Sequence, residues 1–326
     1  SIFEEVLAQF SKKSEAVSVL SKLLQVGENA IYRRIRGVSV LTPNEMRTIA
    51  QHFSISLDAL IHQQSDNILF GYPPANLRTK NFASYLNGLS QEMRPIIQSD
   101  EGQIKYAAAE IPLFHYCFFP EIIAFKLYTW GRTTWDFDYL QNRPFTFDLI
   151  SRDAYAAANN LLQHYLQIDS VELWNLNILD NTLNQIEYYT ESGGIANRRD
   201  ALLLCEKMTI LVQHLKAMAT LGKKFPVDSK VVDNRKSFSL FHNEMVFTNN
   251  TIIVTTDAGK SVFSTLGNPN FIKGTDQRVV HTVEDWFHKI MSKSQPISAH
   301  AERARNKYFN RLLTKIQATQ NRIMNL

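Results

Sequence analysis

Cysteine is almost missing from this chain of 326 residues: Cys117 and Cys205 are the only two, far apart and without metal-type spacing. That excludes a disulfide-rich scaffold and a cysteine-held zinc site, and a reducing, cytoplasmic compartment is expected. An uninterrupted apolar run is missing too. The most apolar stretch, residues 111–130, is broken by Pro112, Pro120, Glu121 and Lys126, which argues against a bilayer-spanning helix. No signal-peptide pattern opens the chain, so no membrane partner is expected.

Familiar catalytic motifs are the third absence. Ala258-Gly259-Lys260-Ser261 looks like the end of a phosphate-binding loop, but the loop's first glycine would fall on Val254, and a strand is expected where a helix is required. His214-x-Lys216 lacks the aspartate of a phospholipase-D-type motif, because Leu221 holds its position. The histidines form no HExxH pair, and His115, His164 and His214 read as packed helix residues rather than metal ligands. No Ser or Cys sits in a nucleophile turn. The expectation is a binding protein rather than an enzyme, with no catalytic residue, no metal and no cofactor.

What is present is an ordinary globular composition, 44% apolar and 20% charged. The charge is unevenly placed. Lys and Arg against Asp and Glu number 7 and 6 in residues 1–65, 12 and 17 in 66–221, and 16 and 8 in 222–326. Basic ends around an acidic middle are compatible with a polyanion at one or both ends, and equally with solvated faces.

The first 60 or so residues read as five short helices. Ile2, Phe3, Val6, Leu7 and Phe10 share one face of the first; Val17, Leu20 and Leu24 share one face of the second. Gln25, Val26 and Gly27 interrupt it. Ala30, Ile31 and Ile35 then point inward from a third helix. Thr42, Pro43 and Glu45 form a capping box with proline at the first helical position, which starts a fourth through Met46, Ile49, Ala50 and Phe53. Ser56 caps a fifth through Leu57, Leu60 and Ile61.

The run LSKLLQVGENAIYRRIRGVSVLTPNEMRTIAQHFSISLDALI resembles the phage-repressor, or Cro-type (XRE), helix-turn-helix family over residues 1 to about 62. The resemblance implies a five-helix, lambda-repressor-like domain that binds double-stranded DNA, its third helix entering the major groove. It implies base-facing positions for Glu28, Asn29, Tyr32 and Arg33, and buried ones for Val26, Ala30, Ile31 and Ile35. Gln25 stands where that family carries a turn glycine, so either Gln25 takes a left-handed conformation or the turn shifts. Arg33 suits guanine O6 and N7, Asn29 suits adenine N6 and N7, and Glu28 is tolerable only as an acceptor from cytosine. Lys12, Lys13, Ser18, Lys22, Arg34 and Arg36 are the expected phosphate contacts. The alternative for the arginines is a solvated helix end.

Residues 67–80, with Gly71 and Pro73-Pro74, are expected to be a linker between a DNA-binding domain at 1–66 and the rest. The pattern over 81–229 reads as helical almost throughout, with helices over 111–130, 152–167, 171–189 and 197–221. In the last, Ala201, Leu204, Met208, Leu211, Leu215 and Met218 form a short heptad seam, open to an intramolecular bundle contact or to self-association. The aromatics of this region suit a core or a small-molecule pocket. Residues 230–326 read as an α+β module: strands over 244–248, 251–256, 261–266 and 278–281, a helix opened by Thr282 and Asp285, and a long final helix. That helix carries Arg303, Arg305, Lys307, Arg311, Lys315 and Arg322, which fit a solvated face, a DNA-backbone contact or a dock for the acidic middle.

The expected fold is thus mainly α with a C-terminal α+β part, a small antiparallel sheet with two helices. The expected function is a sequence-specific transcriptional regulator, a homodimer whose C-terminal region senses a small-molecule effector, mediates dimerisation, or both. The alternatives are an interaction scaffold with a degenerate helix-turn-helix, or a regulator fused to an unfamiliar enzyme.

Overall fold

The computed structural model describes residues 1–10, 12–53, 55, 57, 68–72, 81–227, 229, 235–244 and 249–326. The chain divides into two compact units, Ser1–Leu69 and Phe70–Leu326. It is mainly α-helical with a sheet in the second unit. No helix among the described residues is long and apolar enough to cross a membrane.

The first unit contains α1 (Ile2–Leu7), α2 (Lys13–Leu24), α3 (Glu28–Ile35) and α4 (Pro43–His52). Their apolar faces close on Val6, Val17, Leu20, Ile31 and Ile49, all fully buried. The capping box starts α4 as expected: the Glu45 amide donates to Thr42 Oγ1 (3.2 Å) and the Thr42 amide to Glu45 Oε2 (2.8 Å). The expected fifth helix through Ser56, Leu60 and Ile61, most of the 67–80 linker, and the strand over 244–248 lie outside the described residues.

The second unit runs α5 (Phe82–Gln98), β1 (Gln103–Ala108), α6 (Leu113–Tyr116), α7 (Pro120–Thr133), α8 (Arg152–Tyr165), β2 (Asp169–Trp174), α9 (Asp180–Glu191) and α10 (Arg198–Leu221). It continues through β3 (Phe238–His242), β4 (Thr251–Thr256), β5 (Gly259–Thr265), β6 (Phe271–Gly274), α11 (Gln277–Met291), β7 (Gln295–Pro296) and α12 (Glu302–Met324). Its strands form one seven-stranded mixed sheet in the order β6-β5-β4-β1-β2-β3-β7. β1, β2 and β3 are mutually parallel; the remaining pairings are antiparallel.

This overturns five expectations. The middle region is not helical almost throughout, because β1 and β2 stand at the centre of the sheet, and residues 230–326 complete that sheet rather than forming a module of their own. The sheet is neither small nor purely antiparallel. Residues 171–174 belong to β2, and the helix expected over 171–189 begins at Asp180. Residues 278–281 lie in α11, because Asp276 caps that helix by accepting from the Arg278 amide (2.8 Å), a turn before the Thr282 start expected.

Period-two alternation sends the two faces of the sheet to different cores. Ile104, Tyr106 and Ala108 meet the large helical layer, while Ala107 joins Ile253, Val262, Val280 and Phe287 under α11. The heptad seam of α10 is buried inside the chain against α12, which contributes Tyr308, Phe309, Leu312 and Ile316. It is therefore not free for self-association. Lys315 pairs with Asp180 (2.6 Å) and Arg322 with Glu187, so the basic face of α12 docks in part on α9 of the acidic middle. Arg305 is not on that surface; it is buried and donates to the Ala299 carbonyl (2.8 Å).

Charge is also buried beneath the sheet. Glu172 on β2 meets His115 Nε2 (2.9 Å), Trp174 Nε1 (3.0 Å) and the Tyr165 hydroxyl. Nearby, Lys224 donates to the carbonyls of Tyr165 (3.1 Å) and Ile168 (2.6 Å). Burial pushes the Lys224 ammonium down to about 7, against the pull of Glu172 and Asp169. An unfolded lysine keeps its proton to about pH 10, so between about pH 7 and 10 the unfolded chain binds more protons and stability rises with pH. Denaturation of wild type and Lys224→Met across this window should show that rise in the wild type only; parallel curves would contradict it.

Candidate nucleic-acid interface

The turn between α2 and α3 contains a non-glycine residue at positive φ. Gln25 closes α2 in the left-handed region at φ 55°, ψ 39°, the conformation that glycine adopts most readily. The Val26 amide donates to the Ser21 carbonyl (3.1 Å) and Ser21 Oγ donates to the Val26 carbonyl (2.6 Å). These two bonds tie the turn to the last residues of α2. Gly27, extended at φ −64° and ψ 151°, then starts α3. Gln25→Val would put a β-branched residue at that positive φ, at about 1–2 kcal/mol. The expected result is faster amide exchange across α2 and α3 in the full chain, and unchanged protection would show the turn to be tolerant.

α3 sorts its residues as expected from helical periodicity. Ile31 is fully buried, with Ala30 and Ile35 half-buried behind it, while Glu28, Asn29 and Arg33 are exposed. Tyr32 is half-buried and packs on the core of the unit, and its carbonyl accepts from Arg36 Nε (3.2 Å). Asn29 and Arg33 lie four residues apart and therefore on one face. They offer an amide and a guanidinium side by side, the donor and acceptor set that purine edges require.

The expected phosphate contacts divide. Lys12, Lys13, Lys22 and Arg36 are exposed and Ser18 is half-buried. Arg34 is different: its Nη2 pairs with Glu45 Oε1 (2.7 Å) and its Nη1 donates to the Ala30 carbonyl (3.3 Å). Both side chains are only 16% exposed. The Thr42 amide holds the Glu45 carboxyl below the usual range, with the Thr42 hydroxyl and the Arg34 charge adding to it. Arg34 thus fastens α3 to the start of α4, and its guanidinium is committed within the unit rather than exposed as expected. No sequence signal separates Arg34 from Arg33 and Arg36 except helical phase.

Compared with protein-family models, with curated proteins and with solved structures, the chain matches none.

Proposed function

We propose that the chain is a sequence-specific, DNA-binding transcriptional regulator acting as a homodimer in the cytoplasm, its first unit a lambda-repressor-like helix-turn-helix domain and its second unit an effector sensor. One observation carries the reading: α2, a left-handed turn at Gln25 and α3 bury Ile31 while leaving Asn29 and Arg33 exposed on one face. α3 enters the major groove, Asn29 and Arg33 read bases with Glu28 and Tyr32 beside them, and Lys12, Lys13, Ser18, Lys22 and Arg36 meet phosphates. Two-fold symmetry sets paired half-sites about one helical turn apart.

Binding of the full chain to genomic DNA fragments, measured against salt concentration, tests this. A steep inverse dependence on salt is expected, together with relaxed specificity in Arg33→Ala. Binding that is absent, insensitive to salt, or unaffected by Arg33→Ala would overturn it.

A further inference from the structure

Between α5 and the sheet lies a cavity lined by Leu89 and Met93 of the helix and by Ile104, Ile252, Val254 and Phe263 of the strands. The centre of a water-sized sphere can range over about 80 Å³ of it. One water needs roughly 10–15 Å³ by that measure, so the space takes a molecule of roughly six heavy atoms. A smaller cavity continues it inward: the two share Tyr106, Leu113 and Phe271 in their walls. The inner end is lined by Tyr106, Glu110, Trp130 and Asn250.

The two ends differ in chemistry. The outer part has Glu92 as its one charged wall residue; at the inner end, three hydrogen-bond donors have no acceptor among the described residues. Trp130 Nε1 is buried without a partner. The Tyr106 hydroxyl bonds to none of the described residues. Asn250 uses its Oδ1 to accept from the Ala109 amide (2.9 Å), which leaves its Nδ2 without a described acceptor. Trp130 Nε1 is closed off even to water, whereas the Tyr106 hydroxyl and Asn250 Nδ2 are not sealed and belong to residues that line the inner cavity. Donors in so enclosed a place call for an acceptor.

We propose that this cavity binds a small neutral molecule with an apolar body and a carbonyl head, such as a ketone, ester or lactone, the body under α5 and the carbonyl oxygen accepting at Tyr106 and Asn250. An ammonium head accepts nothing and leaves the donors unmatched. A carboxylate head would add a second anion beside Glu110, whose countercharge Lys126 is already engaged by Glu110, Thr182 (3.3 Å) and Gln185 (3.0 Å). The neutral carbonyl fits both conditions.

The mouth lies beside residues close in sequence to the start of the second unit. Glu92 pairs there with Lys273 (3.2 Å), whose ammonium lies 5.3 Å from the Phe263 ring centroid. The backbone of Lys273 exchanges both hydrogen bonds with Gly71 (2.7 Å each), two residues past Leu69. Occupancy of the cavity therefore acts next to the point where the chain arrives from the first unit. In this respect the proposal rests on the effector-sensing half of the function given above.

The test is calorimetric titration of the full chain, without DNA, with 2-hexanone, hexanoate and hexylamine as probes. 2-Hexanone is expected to bind at least about tenfold more tightly than either charged probe. Tyr106→Phe should weaken it roughly two- to tenfold, the loss of one hydrogen bond. Leu89→Trp, which fills the apolar part, should abolish binding; should that variant misfold, Tyr106→Phe decides alone. No heat with 2-hexanone, equal binding of hexanoate, or an unchanged affinity in Tyr106→Phe would each overturn the site. Binding that follows this pattern but leaves DNA affinity unaltered would retain the site and reject the sensing role.

Discussion

Lys126→Met is expected to destabilise the second unit by about 3–5 kcal/mol, the usual penalty for stranding one member of a buried ion pair. Lys126 is wholly buried on α7 and meets Glu110, itself 7% exposed, which also accepts from Asn181 (2.9 Å), Thr182 (2.8 Å), Asn268 (3.1 Å) and Tyr116 (3.1 Å). Burial pushes the Glu110 carboxyl up, but the Lys126 charge and the bonds from Lys126, Asn181 and Thr182 outweigh it and hold the group below its ordinary range. Methionine has nearly the volume of lysine and removes the charge together with its bonds to Thr182 and Gln185, so the stranded carboxylate is the largest part of the loss. Glu110→Gln in the same chain should restore part of the stability, because it removes the unpaired charge, although the amide nitrogen cannot accept the bonds that one carboxylate oxygen took. Tryptophan fluorescence during denaturation reads this cleanly, since Trp130, Trp135, Trp174 and Trp286 all lie in the second unit. Equal losses in the single and double variants would mean that the pair does not act as a pair.

Local signals in the sequence carried as far as local physics reaches. The Thr42-Pro43-x-Glu45 capping box and the α10 helix, capped by Asn197 and closed by Gly222 at φ 63°, are set by short-range bonds and are visible as spacing. The centre of the sheet was not visible. β1 and β2 are six residues each; Gln103-Ile104-Lys105-Tyr106 alternates for only four residues before the buried Ala107-Ala108, and β2 places the polar Ser170 and Glu172 at buried positions, so neither stands out as a half-buried strand. Their register joins Gln103 to Asp169 and Ser170 to Phe238, pairings far apart in the chain that no window of sequence contains. Arg278-Val279-Val280-His281 reads as strand from its β-branched pair, yet the Asp276 cap prevails and α11 forms. The cavity beneath α5 escaped for the same reason as the sheet. Its walls come from α5, β1, β4, β5 and β6, and only the topology brings them together.

The candidate interface makes the second large prediction, because the structure separates arginines that the sequence presents as equals. Replacing Lys12, Lys13, Lys22 and Arg36 by glutamine removes four exposed cations from each chain. Each phosphate contact contributes about 0.9 to the slope of log affinity against log salt, and about 0.9 decade of affinity at 0.1 M salt. The slope should therefore flatten by about 3 to 4 per chain, with affinity at that salt falling by roughly three to four decades per chain, equally for specific and random DNA. Arg34→Gln should behave otherwise. Its guanidinium is committed to Glu45, so the expected outcome is about 1 kcal/mol of lost stability in the first unit with the salt slope kept. Asn29→Ala and Arg33→Ala form the third class, each reducing discrimination by about 1–3 kcal/mol at one base pair. A common slope change across all three classes would show that the charged residues act as an undifferentiated polycation, and would remove the distinction between base-reading and phosphate-positioning residues on α3.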